Sequence, residues 1–79
     1  MYFVYSIQSI HNPKRYYVGV TTDIERRIGE HNAGKSIHTN KFKPWKLLAY
    51  TAFSDKDKAE KFEAYLKTGS GRAFCVKHF

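Results

Sequence analysis

A chain of 79 residues predicts one domain, 1–79, near the size at which a single hydrophobic core only just suffices, with no room for a second. Lysine and arginine number 14 against 7 aspartate and glutamate, a formal charge of +7 spread along the chain, which favours a folded basic surface and a nucleic acid over an acidic protein or a membrane. Cys75 is the one cysteine, so an intrachain disulfide and a multi-cysteine zinc site are excluded, and a reducing, cytoplasmic setting is expected.

Residues Tyr2–Ser9 are rich in aromatic and β-branched side chains and hardly alternate, which predicts a strand buried on both faces. The same apolar run is too short for a membrane span or a signal-peptide core, and no basic segment precedes it. His11, Asn12 and Pro13 break the strand, and Tyr16–Thr21 forms a second, joined to it as an antiparallel hairpin by the short connection 10–15. Gly19 inside that strand marks a bulge or a close approach of another group. Asp23 caps a first helix, 23–32, that ends near Ala33 and Gly34.

In that helix a 3.6-residue period gathers Ile24, Arg27, Ile28 and His31 on one face and leaves Glu25, Arg26 and Glu30 for solvent. Arg27 and His31 therefore look inward. The polar, basic stretch 35–44 reads as a loop, and Trp45–Phe53 as a third strand. Ser54 followed by Asp57 resembles a capping box opening a second helix, 55–67, that Gly69 ends. Ser70 would cap a short final helix from 71 to about 77, tethered by Phe74 and Phe79. The order ββαβαα predicts an α+β domain, a small three-stranded antiparallel sheet flanked by helices.

The second helix carries an anomaly of opposite sign to the first. Ala59, Phe62, Glu63 and Leu66 share one face, so a carboxylate stands in an apolar stripe, where it needs an arginine, a lysine or a metal ion. A purely structural Arg27–Glu63 ion pair would satisfy both helices. Tyr5 and Tyr17, on adjacent strands, can project toward the face covered by Arg27 and His31. Together these groups match the needs of a phosphodiester reaction: a group to position or deprotonate water, a cation to meet developing charge, and an oxygen ligand for a divalent metal. The histidines at 11, 31, 38 and 78 show no zinc-ligand spacing.

Phe3, Val4 and Tyr5, followed by Tyr17, Val18 and Gly19, resemble the two strand motifs of the GIY-YIG nucleases, with Phe3 and Val4 departing from the Gly and Ile of the first motif. Thr22, Asp23, Ile24, Arg26, Arg27 and Ile28 are similar to the helix carrying the family's catalytic arginine, which falls on Arg27, with His31 one turn on where many members have histidine. Glu63, within Lys61, Phe62, Glu63 and Ala64, matches the metal-binding glutamate, and the ending from Leu66 to Phe74 is similar to that of small standalone bacterial members. The nuclease domain of the bacterial repair excinuclease is of the same kind, so the resemblance implies DNA hydrolysis in repair or processing.

It also implies one Mg²⁺ or Mn²⁺ held by Glu63 and a phosphate oxygen, with Arg27 on the scissile phosphate. Tyr17 would activate or merely orient the attacking water, Tyr5 would support Tyr17 or that water, and His31 would contact phosphate, assist proton transfer or orient Tyr17, with the phosphate or supporting role favoured. An ordinary tyrosine titrates near about 10, so a base role requires nearby positive charge. Lys35, His38, Asn40, Lys41 and Lys43 are the expected contacts to the DNA backbone, with Arg72 and the amides of Gly69, Ser70 and Gly71 as a second phosphate contact. The competing expectation is a basic module of nuclease fold that binds without cutting, or that cuts only with a protein partner supplying recognition.

Overall fold

The structure, a computed structural model, describes residues 1–69 and 71. Chain order is β1 (Tyr2–Ser9), β2 (Tyr16–Thr21), α1 (Ile24–Asn32), a 3₁₀ turn (Asn40–Phe42), β3 (Trp45–Phe53) and α2 (Lys56–Leu66). The three strands form one antiparallel sheet in the order β2-β1-β3, which puts β1 in the centre. The protein is therefore α+β, as the sequence predicts, with its strands at the predicted bounds.

The sheet buries both faces because β1 presents apolar side chains to both. Val4 packs with Ala59 and Leu66 of α2, with Val18, Val20, Phe53 and Phe62 around them. Tyr5, the next residue, points the other way. It shares a second cluster with Ile7 and Trp45, closed by Tyr17, Phe42 and Ile28 of α1. The two helices thus cover opposite faces, and each fully buried side chain such as Val4, Ile7 or Leu66 contributes about 1.5 to 3 kcal/mol.

Local chemistry sets the helix ends. Asp23 accepts from the Arg26 amide at 3.1 Å, and α1 closes at Ala33 with Gly34 beyond it at φ +77°, a conformation that glycine adopts without strain. Four predicted details change. Asp55, not a Ser54–Asp57 box, caps α2, because an aspartate directly before the first helical residue takes the Asp57 amide at 2.9 Å. The helix closes at Lys67 instead of Gly69, since the Lys67 and Thr68 amides fold back onto Ala64 and Tyr65. The loop 35–44 contains the 3₁₀ turn. The fourth is an addition: the Thr68 hydroxyl accepts from the Gly71 amide at 3.1 Å, while Ser70, the predicted cap, lies outside the described residues. The predicted helix from 71 to about 77, with Phe74 and Phe79, otherwise lies outside the described residues.

Candidate active site

Pairing register places Tyr5 opposite Gly19 and Ile7 opposite Tyr17. The two tyrosines therefore stand on the same face, and the Tyr5 ring lies over the glycine: a Cβ at position 19 would meet its Oη at 2.5 Å. This close approach is the reason for a glycine inside β2. Above them α1 lowers His31, which is fully buried. Its Nε2 lies 2.9 Å from Tyr5 Oη, its Nδ1 2.6 Å from Thr39 Oγ1, and its ring meets Tyr17 edge-on at 5.2 Å between centroids. The sequence-based expectation of a phosphate contact for His31 is therefore corrected. Both ring nitrogens are engaged and no surface is left to meet a ligand.

Arg27 is half-buried one turn before His31. Its Nη1 donates to Glu30 at 3.0 Å, and its positive charge also acts on the nearby Tyr5 phenol. Glu30, expected on the solvent side, is drawn in by this i,i+3 contact and is itself half-buried. The Arg27 bond holds the Glu30 carboxyl below the usual range, and Glu30 and Tyr5 together raise Arg27 further above its own. Burial pushes the Tyr5 phenol up, against the opposing pull of Arg27. Burial, aided by Arg27, pushes His31 down.

The His31 shift has a consequence for stability. An unfolded histidine takes its proton near pH 6.5, while the buried ring resists it to lower pH, so the unfolded state binds more protons in between. This contribution is intact above about pH 6.5 and is lost as pH falls through the range below it. Urea melts at pH 7.5 and 5.5 are expected to show a lower midpoint at the acid pH, and the difference should shrink in His31→Gln; an equal difference in both proteins would remove the assignment.

Glu63 reaches the site from α2. Its side chain keeps 26% exposure and pairs with Lys67 at 3.3 Å, one turn on. Lys67 Nζ in turn lies 5.8 Å from the centre of the Tyr17 ring, and the Glu63 charge is among the influences raising Tyr5. The Arg27–Glu63 ion pair is not formed: each has a nearer partner on its own helix, Glu30 and Lys67. Beside these groups an open groove of about 460 Å³ runs between the helices, lined by Tyr2, Arg26, Arg27, Glu30, Lys56 and Glu60 among others.

The basic loop is folded onto the same region. Lys35, His38, Asn40, Lys41 and Lys43 are exposed, while Thr39 between them is fully buried. Asn40 and Lys43 crowd Gly34, and Phe42 is faced by Arg15 at 4.8 Å and by Lys41 at 5.8 Å. Arg72 lies outside the described residues. Sequence reasoning missed Lys67, Glu30, Thr39 and Arg15; the first two were signalled by i,i+4 and i,i+3 charge spacing, the others by nothing local.

Among the described residues no three His, Cys, Asp or Glu converge to hold a metal ion. Glu63 alone still suits a hard cation of the Mg²⁺ kind, which is commonly bound through one or two carboxylates plus waters and substrate phosphate.

Residues 1–74 match the GIY-YIG catalytic domain, and the chain belongs to the GIY-YIG family, whose fold is of nuclease type. It is 42% identical over 65 residues to a UPF0213 protein of Cupriavidus pinatubonensis, covering 77% of this chain and 72% of that one. It is 40% identical over 67 residues to the UPF0213 protein YsiG of Lactococcus lactis, covering 84% of this chain and 62% of that protein's length. A UPF0213 protein of Bacillus halodurans, solved by NMR, superimposes with a TM-score of 0.56 at 31% identity over 96% of this chain and 83% of the other. Among the described residues no helix is long and apolar enough to cross a membrane.

Proposed function

We propose that this chain is a single-domain, metal-dependent endonuclease that hydrolyses DNA phosphodiester bonds in the cytoplasm, in DNA repair or processing. The observation that supports the reading is that Arg27, Tyr17 and Glu63, from two helices and an edge strand, all act on the buried Tyr5 phenol, with Lys67 joining Glu63 to the Tyr17 ring and an open groove lined by Arg27. Arg27 has five donors and spends one on Glu30, which leaves others to take two oxygens of a phosphate. Tyr17 is half-buried and thus within reach of a water, which it orients or deprotonates. Tyr5 is sealed and its phenol is pushed up, so it keeps its proton and bonds His31 instead of meeting the water. Glu63 would hold Mg²⁺ or Mn²⁺, and when bound the ion supplies positive charge to the phosphate oxygens.

Lys35, His38, Asn40, Lys41 and Lys43, with Arg15 and Arg72, would follow the DNA backbone without reading sequence, and a partner protein would supply any finer recognition. Affinity should then fall steeply with salt, by a slope of about 0.9 in log K per neutralised phosphate on duplex DNA. Titrations from low to moderate salt in EDTA, run on several duplex sequences, check this; a flat salt response or a strong preference for one short sequence would count against it. Cleavage of labelled duplex and branched DNA with and without Mg²⁺ or Mn²⁺ tests the activity itself. Salt-sensitive binding with no cleavage in either ion would favour the non-cutting reading.

A further inference from the structure

Ile37 stands at the tip of the basic loop with its side chain 92% exposed, more open than any other large apolar residue among those described. It has no share in either core cluster. Single apolar side chains at a surface are ordinary, and what sets this one apart is how firmly its backbone is held. The amides of Thr39 and Asn40 both donate to the Ser36 carbonyl, at 3.3 and 2.9 Å, and close the turn that carries Ile37. Before the turn, the Lys35 amide is tied to the Glu30 carbonyl of α1 at 3.0 Å. After it, Thr39 is fully buried, with Oγ1 2.6 Å from His31 Nδ1 and its carbonyl accepting from Trp45 Nε1 at 2.8 Å. A β-branched side chain, stiff in itself, is thus carried outward on a braced support.

The charge around this tip has one sign. From His31 to Ser54 the chain holds no carboxylate, while Lys35, Lys41, Lys43 and Lys46 are all exposed and His38 is exposed directly beside Ile37. An apolar point set among cations suits a ligand that is anionic outside and apolar within. Nucleic acid is built that way, with phosphates outside and stacked bases inside.

We propose that Ile37 is a wedge that enters the base stack of bound DNA while Lys35, His38 and Lys41 hold the phosphates around it. The inference rests on the nuclease reading only in taking DNA as the ligand. Opening a base step is costly, so the wedge favours duplexes whose stack is already interrupted by a mismatch, a nick or a junction. Because the turn is braced on His31, the opened step is held in a fixed relation to that histidine and to the Tyr17 ring packed against it.

2-Aminopurine, which brightens when it is unstacked, reads the insertion directly. In a duplex carrying the probe at a mismatch, its fluorescence rises when the full chain binds in EDTA, and rises less in a fully paired duplex. Ile37→Ser removes the rise and weakens binding about 10-fold or more at every salt concentration, because the lost contact is apolar and releases no counterions. The slope of log K against log salt stays where it was. Ile37→Leu, apolar and of the same size, recovers both signals. Lys35→Gln does the opposite, lowering the slope by about 0.9 and keeping the rise. Melting temperatures of the two Ile37 variants match the wild type, since a side chain this open supports nothing in the fold.

The proposal is overturned by a wild type that leaves the probe dark, or by a serine variant that binds and brightens it as the wild type does, the result expected if the tip serves an acidic protein instead. It is equally overturned by a serine variant whose loss appears only as a changed salt slope, or whose melting temperature falls. A wild type that brightens the probe and never cuts DNA in Mg²⁺ or Mn²⁺ ends the nuclease reading and leaves the wedge in place.

Discussion

Arg27→Lys is expected to lower the cleavage rate by on the order of 10²-fold or more while DNA binding weakens only a few-fold. The charge survives, but the planar fork that can bond Glu30 and a phosphate at the same time does not, because an ammonium has three donors at one point. Single-turnover cleavage beside binding in EDTA separates the two effects. A lysine variant that cuts at close to the wild-type rate means that Arg27 does not clamp the reacting phosphate. Stability changes little by comparison, since the Arg27–Glu30 contact is a pair within one helix that solvent screens.

Glu63→Gln is expected to abolish cleavage in Mg²⁺ and to leave the melting temperature almost where it was. The glutamine keeps the shape and loses the charge that attracts the ion. Its structural partner is Lys67, itself half exposed, so the lost pair costs at most about 1 kcal/mol after solvent screening. A buried Arg27–Glu63 pair would have made the same substitution cost roughly 3 to 5 kcal/mol by stranding a cation. Thermal melting in EDTA distinguishes these directly: a large drop together with retained cleavage would make Glu63 structural and remove it from the site.

The contrast between those two costs shows what the sequence discloses and what it withholds. β1 was readable because a strand without alternation has to bury both faces, and the helices do cover both. Arg27, His31 and Glu63 were readable as anomalies, because a polar residue at an inward helical position demands a partner. Which partner it finds is a tertiary matter. Glu63 takes the lysine one turn along its own helix, which the i,i+4 spacing allowed, but an arginine across the fold satisfied the same pattern. Thr39 meets His31 only because the loop after α1 folds back under the helix, a geometry set by Trp45 and Asn32 rather than by periodicity. The capping of α2 by Asp55 instead of Ser54 is a contest between adjacent residues with the same chemistry, and propensity alone does not decide it.

The central place of β1 divides the site by persistence in time. Its backbone is paired on both sides, so separating it from either neighbour breaks a ladder of the sheet, and its amides belong to the last part of the molecule to exchange with solvent. Tyr5, on that strand, is therefore held as long as the protein stays folded. Tyr17 rides on β2, whose outer margin pairs with no strand among the described residues and which can loosen without global unfolding. The phenol that bonds the buried histidine is thus built into the most durable strand, and the phenol that faces water into one able to breathe.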